Sequence, residues 1–290
     1  MSEFCHLILT QFNVKIDSES EIRVGPEWLS YRFDLFERFC YPSIRGQTNQ
    51  HFKWLVFFDL HTPNIFREKV ESYARWNNFV PCYVDSFSNL ENHDIIRENI
   101  SPDSKYIITT RIDNDDAVST DFVDKIQKNF YNQRLEFINF TNGYLLDCNK
   151  HKLYKKRIFS NMFISLIESV ENFKTVFCAV PCHTGPQMFA SDSPWLSHIN
   201  LHLVGKIREI EAEPLWLIVV HGRNLDNKIW LSALRVPIQL LDNRFKINYA
   251  YDPDSSNLFI SNMIKKIGLS LPKPIKSSLK NLYFMLGTKK

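Results

Sequence analysis

KYIITTRIDNDDAVSTDFV, residues 105–123, decides how this chain folds. KYIITT is apolar and β-branched and reads as a buried strand. Three carboxylates follow within four positions, Asp113, Asp115 and Asp116. Ser119 or Thr120 is then expected to cap a helix with Phe122, Val123, Ile126 and Phe130 on one face. Carboxylates packed this closely shift one another's pKa values, so something positive is expected among them. Asp-x-Asp on extended backbone aims both side chains roughly the same way. A hard divalent cation, Mg²⁺ or Mn²⁺, accepts one or two such carboxylates and fills its shell with water and substrate phosphate. Taken alone, the tetrad reads equally as an acidic turn. An EF-hand is excluded, because its glycine and distal glutamate are missing.

Outward from this stretch, strands and helices alternate. HLILTQFNV (6–14), FKWLVFFD (52–59) and KYIITTRID (105–113) read as strands. FVPCYVDSF (79–87) reads as an edge strand because of Pro81. WLSYRFDLFERFC (28–40) places Trp28, Tyr31, Leu35, Phe36 and Phe39 at helical spacing, with Pro42 expected near its end. This alternation predicts an α/β fold with a largely parallel sheet covered by helices. Ligands of such sheets bind beyond the carboxyl ends of the strands, where Asn13, Asp59 and Asp113 would gather. The second half is less regular. LEFINFTNGYLLDC (135–148) suggests a hairpin turning at Asn142-Gly143. NMFISLIESVENF (161–173) suggests a helix, and TVFCAV (175–180) and LWLIVV (215–220) short strands. Residues 181–213 form a long polar connection of the kind that carries function.

Composition narrows the classes. The 290 residues are 44% hydrophobic and 23% charged with a net charge of +3. That supports a packed domain and gives no case for nucleic acid. The six cysteines include no CxxC pair, which disfavours a zinc site. With eight glycines and neither GxGxxG nor GxxxxGK[ST], a Rossmann dinucleotide site and a P-loop are disfavoured. The start MSEFCHLILTQFNV does not resemble a signal peptide, and no apolar run reaches the roughly 20 residues that span a bilayer. The expected location is the cytoplasm. We divide the chain into a domain over 1–245 and a basic extension over 246–290. After Asp254 the tail holds seven lysines and no acidic residue. Two readings stand for it: a peripheral contact with the anionic inner face of a membrane, or a helix packed on the domain with solvated lysines, the second preferred.

Four segments, in order, carry a resemblance to a known family. LTQFNV resembles a first strand with its base-contacting end. FERFCYPSIRGQTNQHFKWLVFFD resembles the following helix, Ser-x-x-x-Gln-Thr turn and second strand with a terminal Asp. TRIDNDDAVSTDFV resembles a DxD strand and the helix behind it. VVHGRN (219–224) resembles the late histidine of a metal site. Over roughly residues 5–230 the chain resembles the GT-A nucleotide-sugar glycosyltransferases, and more narrowly the rhamnosyltransferase family related to the family-2 enzymes. The resemblance implies a mixed, mostly parallel, Rossmann-like sheet flanked by helices, with an irregular acceptor-side second half. It implies transfer of a sugar, a rhamnose or other deoxyhexose, from a nucleoside-diphosphate donor to a hydroxyl of a glycan or glycolipid, with inversion. It also implies a Mn²⁺ or Mg²⁺ cofactor.

By the same resemblance, Asp113 would contact the ribose or donor sugar, and Asp115 and His221 would hold the metal. Asn13 and Asp59 would lie near the nucleoside. Arg111 would assist at the diphosphate or donor sugar, with Asp116 behind the metal ligands and Arg32 a further phosphate candidate. The catalytic base of the related families is an acidic residue well downstream. This chain lacks their Glu-Asp pair, which leaves Asp192, His183 and Glu168. Asp192 is the first choice, because it sits in a polar loop beside Trp195, a sugar-stacking candidate like Trp230. Trp216 reads as core. A GT-A domain that keeps its fold as a carbohydrate- or nucleotide-sugar-binding scaffold is the alternative from another class. A metal-dependent phosphohydrolase is disfavoured, since its nucleophile-bearing DxD follows the first strand, and here that strand ends in QFNV.

Overall fold

The computed structural model describes residues 3–14, 25–85, 93–173, 175–176, 206–224, 229 and 232–251. Its centre is a seven-stranded sheet. Strands β1 (Phe4–Gln11), β2 (Lys53–Asp59), β3 (Phe79–Val84) and β4 (Tyr106–Arg111) run parallel in the order β4-β1-β2-β3. β3 is the edge, as Pro81 requires. Side chains on both faces of these strands are apolar, as in a sheet covered on both sides. Ile8, Trp54, Val56 and Phe58 pack with helices α1 (Pro26–Leu35), α3 (Asn64–Ala74) and α5 (Phe122–Gln127) through Phe33, Phe66, Val70 and Ile126. Leu7, Leu9, Leu55 and Phe57 face the other way, with Ile96 of α4 (His93–Glu98).

The sheet is extended beyond β4 by β9 (Ile164–Ser169), β6 (Leu135–Phe140) and β10 (Lys206–Ile210), with β9 antiparallel to both neighbours. The segment 161–173, expected to be a helix, instead holds strand β9 followed by a short 3-10 turn over Val170–Asn172. Its short apolar run fits either period, and pairing on both sides decides it. Glu168, expected on an exposed helix, is buried, and its carboxylate accepts the Thr175 N–H at 2.9 Å. Its register partner on β4 is Ile107, six residues before Asp113, which puts it about 20 Å from the carboxylate turn. That removes it as a catalytic base.

A second, five-stranded sheet was not expected. It runs β12-β8-β7-β11-β5, from β5 (Ala117–Val118), β7 (Asn142–Asp147), β8 (Lys152–Arg157), β11 (Trp216–Val220) and β12 (Leu234–Val236). The predicted hairpin over 135–148 is thus not one. β6 and β7 belong to different sheets, and Asn142-Gly143 opens β7 instead of turning. Of TVFCAV only Thr175 and Val176 are described, and neither is in a strand.

The first long helix also runs past its expected end. α1 passes into a π-turn over Phe36–Cys40 and on into α2 (Tyr41–Arg45), with Pro42 inside. Proline removes an N–H that the Glu37 and Arg38 carbonyls would otherwise use. Asn248 supplies both: its backbone N–H reaches the Arg38 carbonyl at 2.7 Å and its amide the Glu37 carbonyl at 3.1 Å. Ring contact between Phe39 and Tyr249 (centroids 5.4 Å apart) fastens the same segment. The chain thus stays packed on the domain past residue 245, through Tyr251. The lysine-rich tail beyond lies outside the described residues. Among the described residues no helix is long and apolar enough to cross a membrane. The helix after the carboxylates starts at Phe122 behind Asp121, past both expected caps, Ser119 and Thr120, and the Ser119 hydroxyl donates instead to the Asp121 carboxylate at 2.7 Å.

One buried group ties the fold to pH. His6 on β1 accepts a hydrogen bond from the Gln127 amide on Nδ1 (3.1 Å), so Nε2–H donates to the Thr110 hydroxyl (2.8 Å). Burial pushes its pKa down to about 3. A base whose folded pKa is depressed contributes stability above its unfolded pKa near 6.5 and loses it as pH falls through the interval toward 3. Stability should fall by up to about 1.4 kcal/mol per pH unit there. Urea midpoints at pH 7.5 and 5.0 should differ more for the wild type than for His6→Gln. Equal pH dependence in the two would remove this role.

Candidate active site

β4 ends at Arg111, and the chain crosses from the first sheet to the second through Ile112–Asp116 before joining β11 as β5. This crossing is anchored to the end of β1. The Thr10 hydroxyl donates to the Ile112 carbonyl at 2.8 Å, and the Asn114 amide donates to the Phe12 carbonyl at 2.8 Å. The acidic turn is therefore pinned where the parallel strands end and the two sheets meet.

Each carboxylate solves its charge problem differently. Asp113 pairs with Arg111 at 3.1 Å, two residues upstream. Asp115 Oδ2 accepts from Arg32 Nη1 of α1 and from His221 Nε2, both at 3.0 Å. Burial alone would raise the Asp115 carboxyl, but the Arg32 guanidinium and the His221 hydrogen bond outweigh it and hold it below the usual carboxylate range. Among the described residues Asp116 has no salt-bridge partner of its own. Burial, then the charges of Asp115 and Asp113, push it well above the usual range, against the Val219 N–H that it accepts at 2.9 Å. Neighbouring carboxyls are thus driven apart, one ionised and the other toward neutral.

Asp116 also sets register. Val219 lies two residues before His221, so the bond from its N–H fixes β11 against the acidic turn. His221 follows β11 and precedes Gly222, whose φ of +88° suits glycine. Asn224 folds back, accepting the His221 N–H at 2.8 Å and donating to the Val219 carbonyl at 2.9 Å. On the far side of the imidazole the Tyr31 hydroxyl lies 2.6 Å from Nδ1 and 3.2 Å from the His221 carbonyl. With Nε2–H donating to Asp115, Nδ1 accepts from the Tyr31 hydroxyl; a metal on Nε2 would need the other tautomer, with Nδ1–H donating to Tyr31.

Asp115 Oδ2 and His221 Nε2, brought together at 3.0 Å, would offer a divalent cation a carboxylate oxygen and an imidazole nitrogen. Among the described residues no group of three or more His, Cys, Asp or Glu side chains is arranged as a metal cage. Two protein ligands with the rest left to substrate and water is the usual magnesium arrangement.

Asn13 and Asp59 come together one layer away. The Asn13 carbonyl oxygen accepts the Asp59 N–H at 3.1 Å, and its amide donates to the Thr62 hydroxyl at 3.1 Å. Asp59 accepts the His61 N–H at 2.6 Å. Both side chains are fully buried and bind the ends of β1 and β2 together. Trp216 is buried core, its indole stacked on Phe163 with centroids 5.5 Å apart. Asp192, His183, Trp195 and Trp230 lie outside the described residues. Sequence reasoning missed Tyr31 and Asn114. Tyr31 was counted only toward the apolar face of α1, and Asn114 only as the spacer of Asp-x-Asp.

Comparison with curated proteins gives no match. Among solved structures, the chain is similar to Staphylococcus aureus TarS 1-349 in complex with UDP at 10% identity and a TM-score of 0.42. That alignment covers 76% of this chain and 61% of that one, so the chain spans about three fifths of that protein. A protein from Desulfovibrio desulfuricans G20 described as a "putative nucleotide-diphospho-sugar transferase" aligns at 10% identity and a TM-score of 0.39, over 74% of this chain and 82% of that one. HddC from Yersinia pseudotuberculosis aligns at 9% and 0.36, over 73% and 91%. At these scores the likeness is loose. The sequence model of one family, described as "Putative rhamnosyl transferase", matches residues 4–229, which hold the DxD turn, Arg32 and His221 alike. The chain belongs to that rhamnosyl transferase family.

Proposed function

We propose that the protein is a metal-dependent glycosyltransferase that moves a sugar, a deoxyhexose such as rhamnose, from a nucleoside-diphosphate donor to a hydroxyl of a glycan or glycolipid acceptor, with inversion. The observation that carries this reading is the meeting of Asp115 and His221. They lie 106 residues apart in sequence, on different elements, and are 3.0 Å apart at a strand-end crossing. A bound Mn²⁺ or Mg²⁺ would supply Lewis-acid neutralisation of charge on the departing diphosphate.

The chain's own residues do the rest. Asp115, kept ionised, and His221 hold the cation, and Asp116 fixes the distance between them. Asp113, the most exposed of the three carboxylates with 34% of its side chain accessible, faces donor hydroxyls while Arg111 steadies it. Asn13 and Asp59 form the floor beneath the nucleoside end of the donor. Asp192 remains the proposed base, taking the acceptor proton as the hydroxyl attacks; such a group is worth roughly 10²–10⁴-fold.

The test is a thermal-shift panel with UDP, GDP and dTDP, each with and without Mn²⁺. A ligand at a hundred times its Kd stabilises the native state by about 2.7 kcal/mol. One nucleotide that shifts the melting temperature only with Mn²⁺ is the expected result, and it names the donor base. No shift with any of them would favour a non-catalytic scaffold.

A further inference from the structure

Arg32 stands where a metal would be expected. Its Nη1 donates to the same Asp115 oxygen that faces His221, at 3.0 Å, and its Nη2 donates to the Asn114 carbonyl oxygen. The guanidinium carbon lies 5.5 Å from the centroid of the Trp28 ring, and the side chain is only 16% exposed. The fit is incomplete, however. Nε is buried and has no hydrogen-bond partner among the described residues. A buried N–H without an acceptor costs free energy, so this position is held chiefly by the charge of Asp115.

A guanidinium and a divalent ion on the same carboxylate oxygen compete, because both are cations. The two cations would stand within about 4 Å of each other in a partly buried site, where like charges repel far more than in water. A divalent ion alone cannot simply displace Arg32, because the guanidinium would then be left largely buried without its carboxylate. The exchange becomes favourable when the incoming cation brings its own anion. A diphosphate offers the freed guanidinium a planar, two-point partner of the kind arginine prefers. α1 is rigid, but the arginine side chain has the rotatable length to turn from Asp115 to a phosphate beside it.

We propose that Arg32 is a cation that exchanges on Asp115: it neutralises Asp115 until a divalent cation arrives with a nucleoside diphosphate, then yields Asp115 and takes the diphosphate. Metal and nucleotide therefore bind cooperatively, and by linkage each raises the affinity of the other by the same factor. The inference rests on the proposed metal-assisted reaction and adds an order of events to it.

Equilibrium dialysis of Mn²⁺ against the wild type, Arg32→Ala and Arg32→Lys tests it, with and without UDP, GDP or dTDP on both sides of the membrane. The wild type should bind Mn²⁺ weakly alone and at least about tenfold more tightly with its nucleotide, the scale of change that groups around a metal site produce. Arg32→Ala should bind Mn²⁺ alone about tenfold more tightly than the wild type and lose most of the nucleotide's enhancement. Arg32→Lys, which keeps the charge without the fork, should fall between, and thermal melts of both variants confirm that they fold. The proposal is overturned if the wild type shows the enhancement and Arg32→Ala reproduces it unchanged. It is also overturned if Arg32→Ala takes up Mn²⁺ while the wild type never does, since the guanidinium would then replace the metal permanently. Failure of the metal-assisted reaction looks different: none of the three proteins takes up Mn²⁺ with any nucleotide.

Discussion

Asp115→Asn should lower Mn²⁺-dependent nucleotide affinity by about a hundredfold or more, the upper range for disturbing a metal site, while the protein stays folded. The asparagine is the informative variant. It keeps an oxygen for Arg32 and for His221, so the hydrogen bonds that shape the turn survive. It loses the charge, and a hard divalent cation binds charge first. Asp115→Ala goes further and strands Arg32 with only the Asn114 contact, so part of its loss will be stability. His221→Ala should show the same metal dependence at about 10–100-fold, because the charged ligand remains. Nucleotide affinity without metal should change little in all of these. Titration calorimetry with and without Mn²⁺ separates the two terms. Wild-type metal-dependent binding in both Asp115→Asn and His221→Ala would sink the metal assignment.

The front half of this fold was legible because its signals are local. WLVFF and KYIITT are apolar on both faces, so they read as strands covered on both sides, and Pro81 marks an edge without any knowledge of neighbours. The carboxylate turn was legible for the same reason: Asp-x-Asp after a buried strand is a chemical pattern within a few residues. What was missed depends on partners far away in sequence. ISLIES looks helical until β4 and β6 flank it. The helix continues through Pro42 only because Asn248, more than 200 residues later, satisfies the carbonyls that proline orphans. Arg32 on Asp115 spans 83 residues and Tyr31 on His221 spans 190. Nothing in WLSYRF distinguishes an arginine aimed at a carboxylate from one aimed at water. The acidic cluster did announce that a cation had to be near, and in the structure two arginines meet that demand.

Gly143→Ala should destabilise the protein by roughly 3 kcal/mol or more, the range in which a core must be rebuilt rather than relaxed. Read as sequence, Asn142-Gly143 is the turn of a hairpin. In the structure Gly143 lies within β7, directly beside Trp216 of β11. A Cβ at 143 would stand 2.0 Å from Trp216 Cδ2 and 2.1 Å from Cε3, well inside van der Waals contact. The indole has no room to give. Its face stacks on Phe163 with planes 10° apart, and its Nε1 donates to the Phe140 carbonyl at 2.8 Å. The strands must separate instead, and β11 is the strand whose Val219 N–H donates to Asp116 and which delivers His221. A stability defect and a weakened metal site should therefore appear together. The control is a double-mutant cycle with Trp216→Leu, which opens space where the new methyl falls. If the clash is the cause, the double mutant is more stable than the two single costs predict, by a coupling of about 1–3 kcal/mol. Urea unfolding of the four proteins measures it. A Gly143→Ala protein within about 1 kcal/mol of the wild type would mean that β7 and β11 are not packed in this register, and the link from the acidic turn to His221 would have to be redrawn.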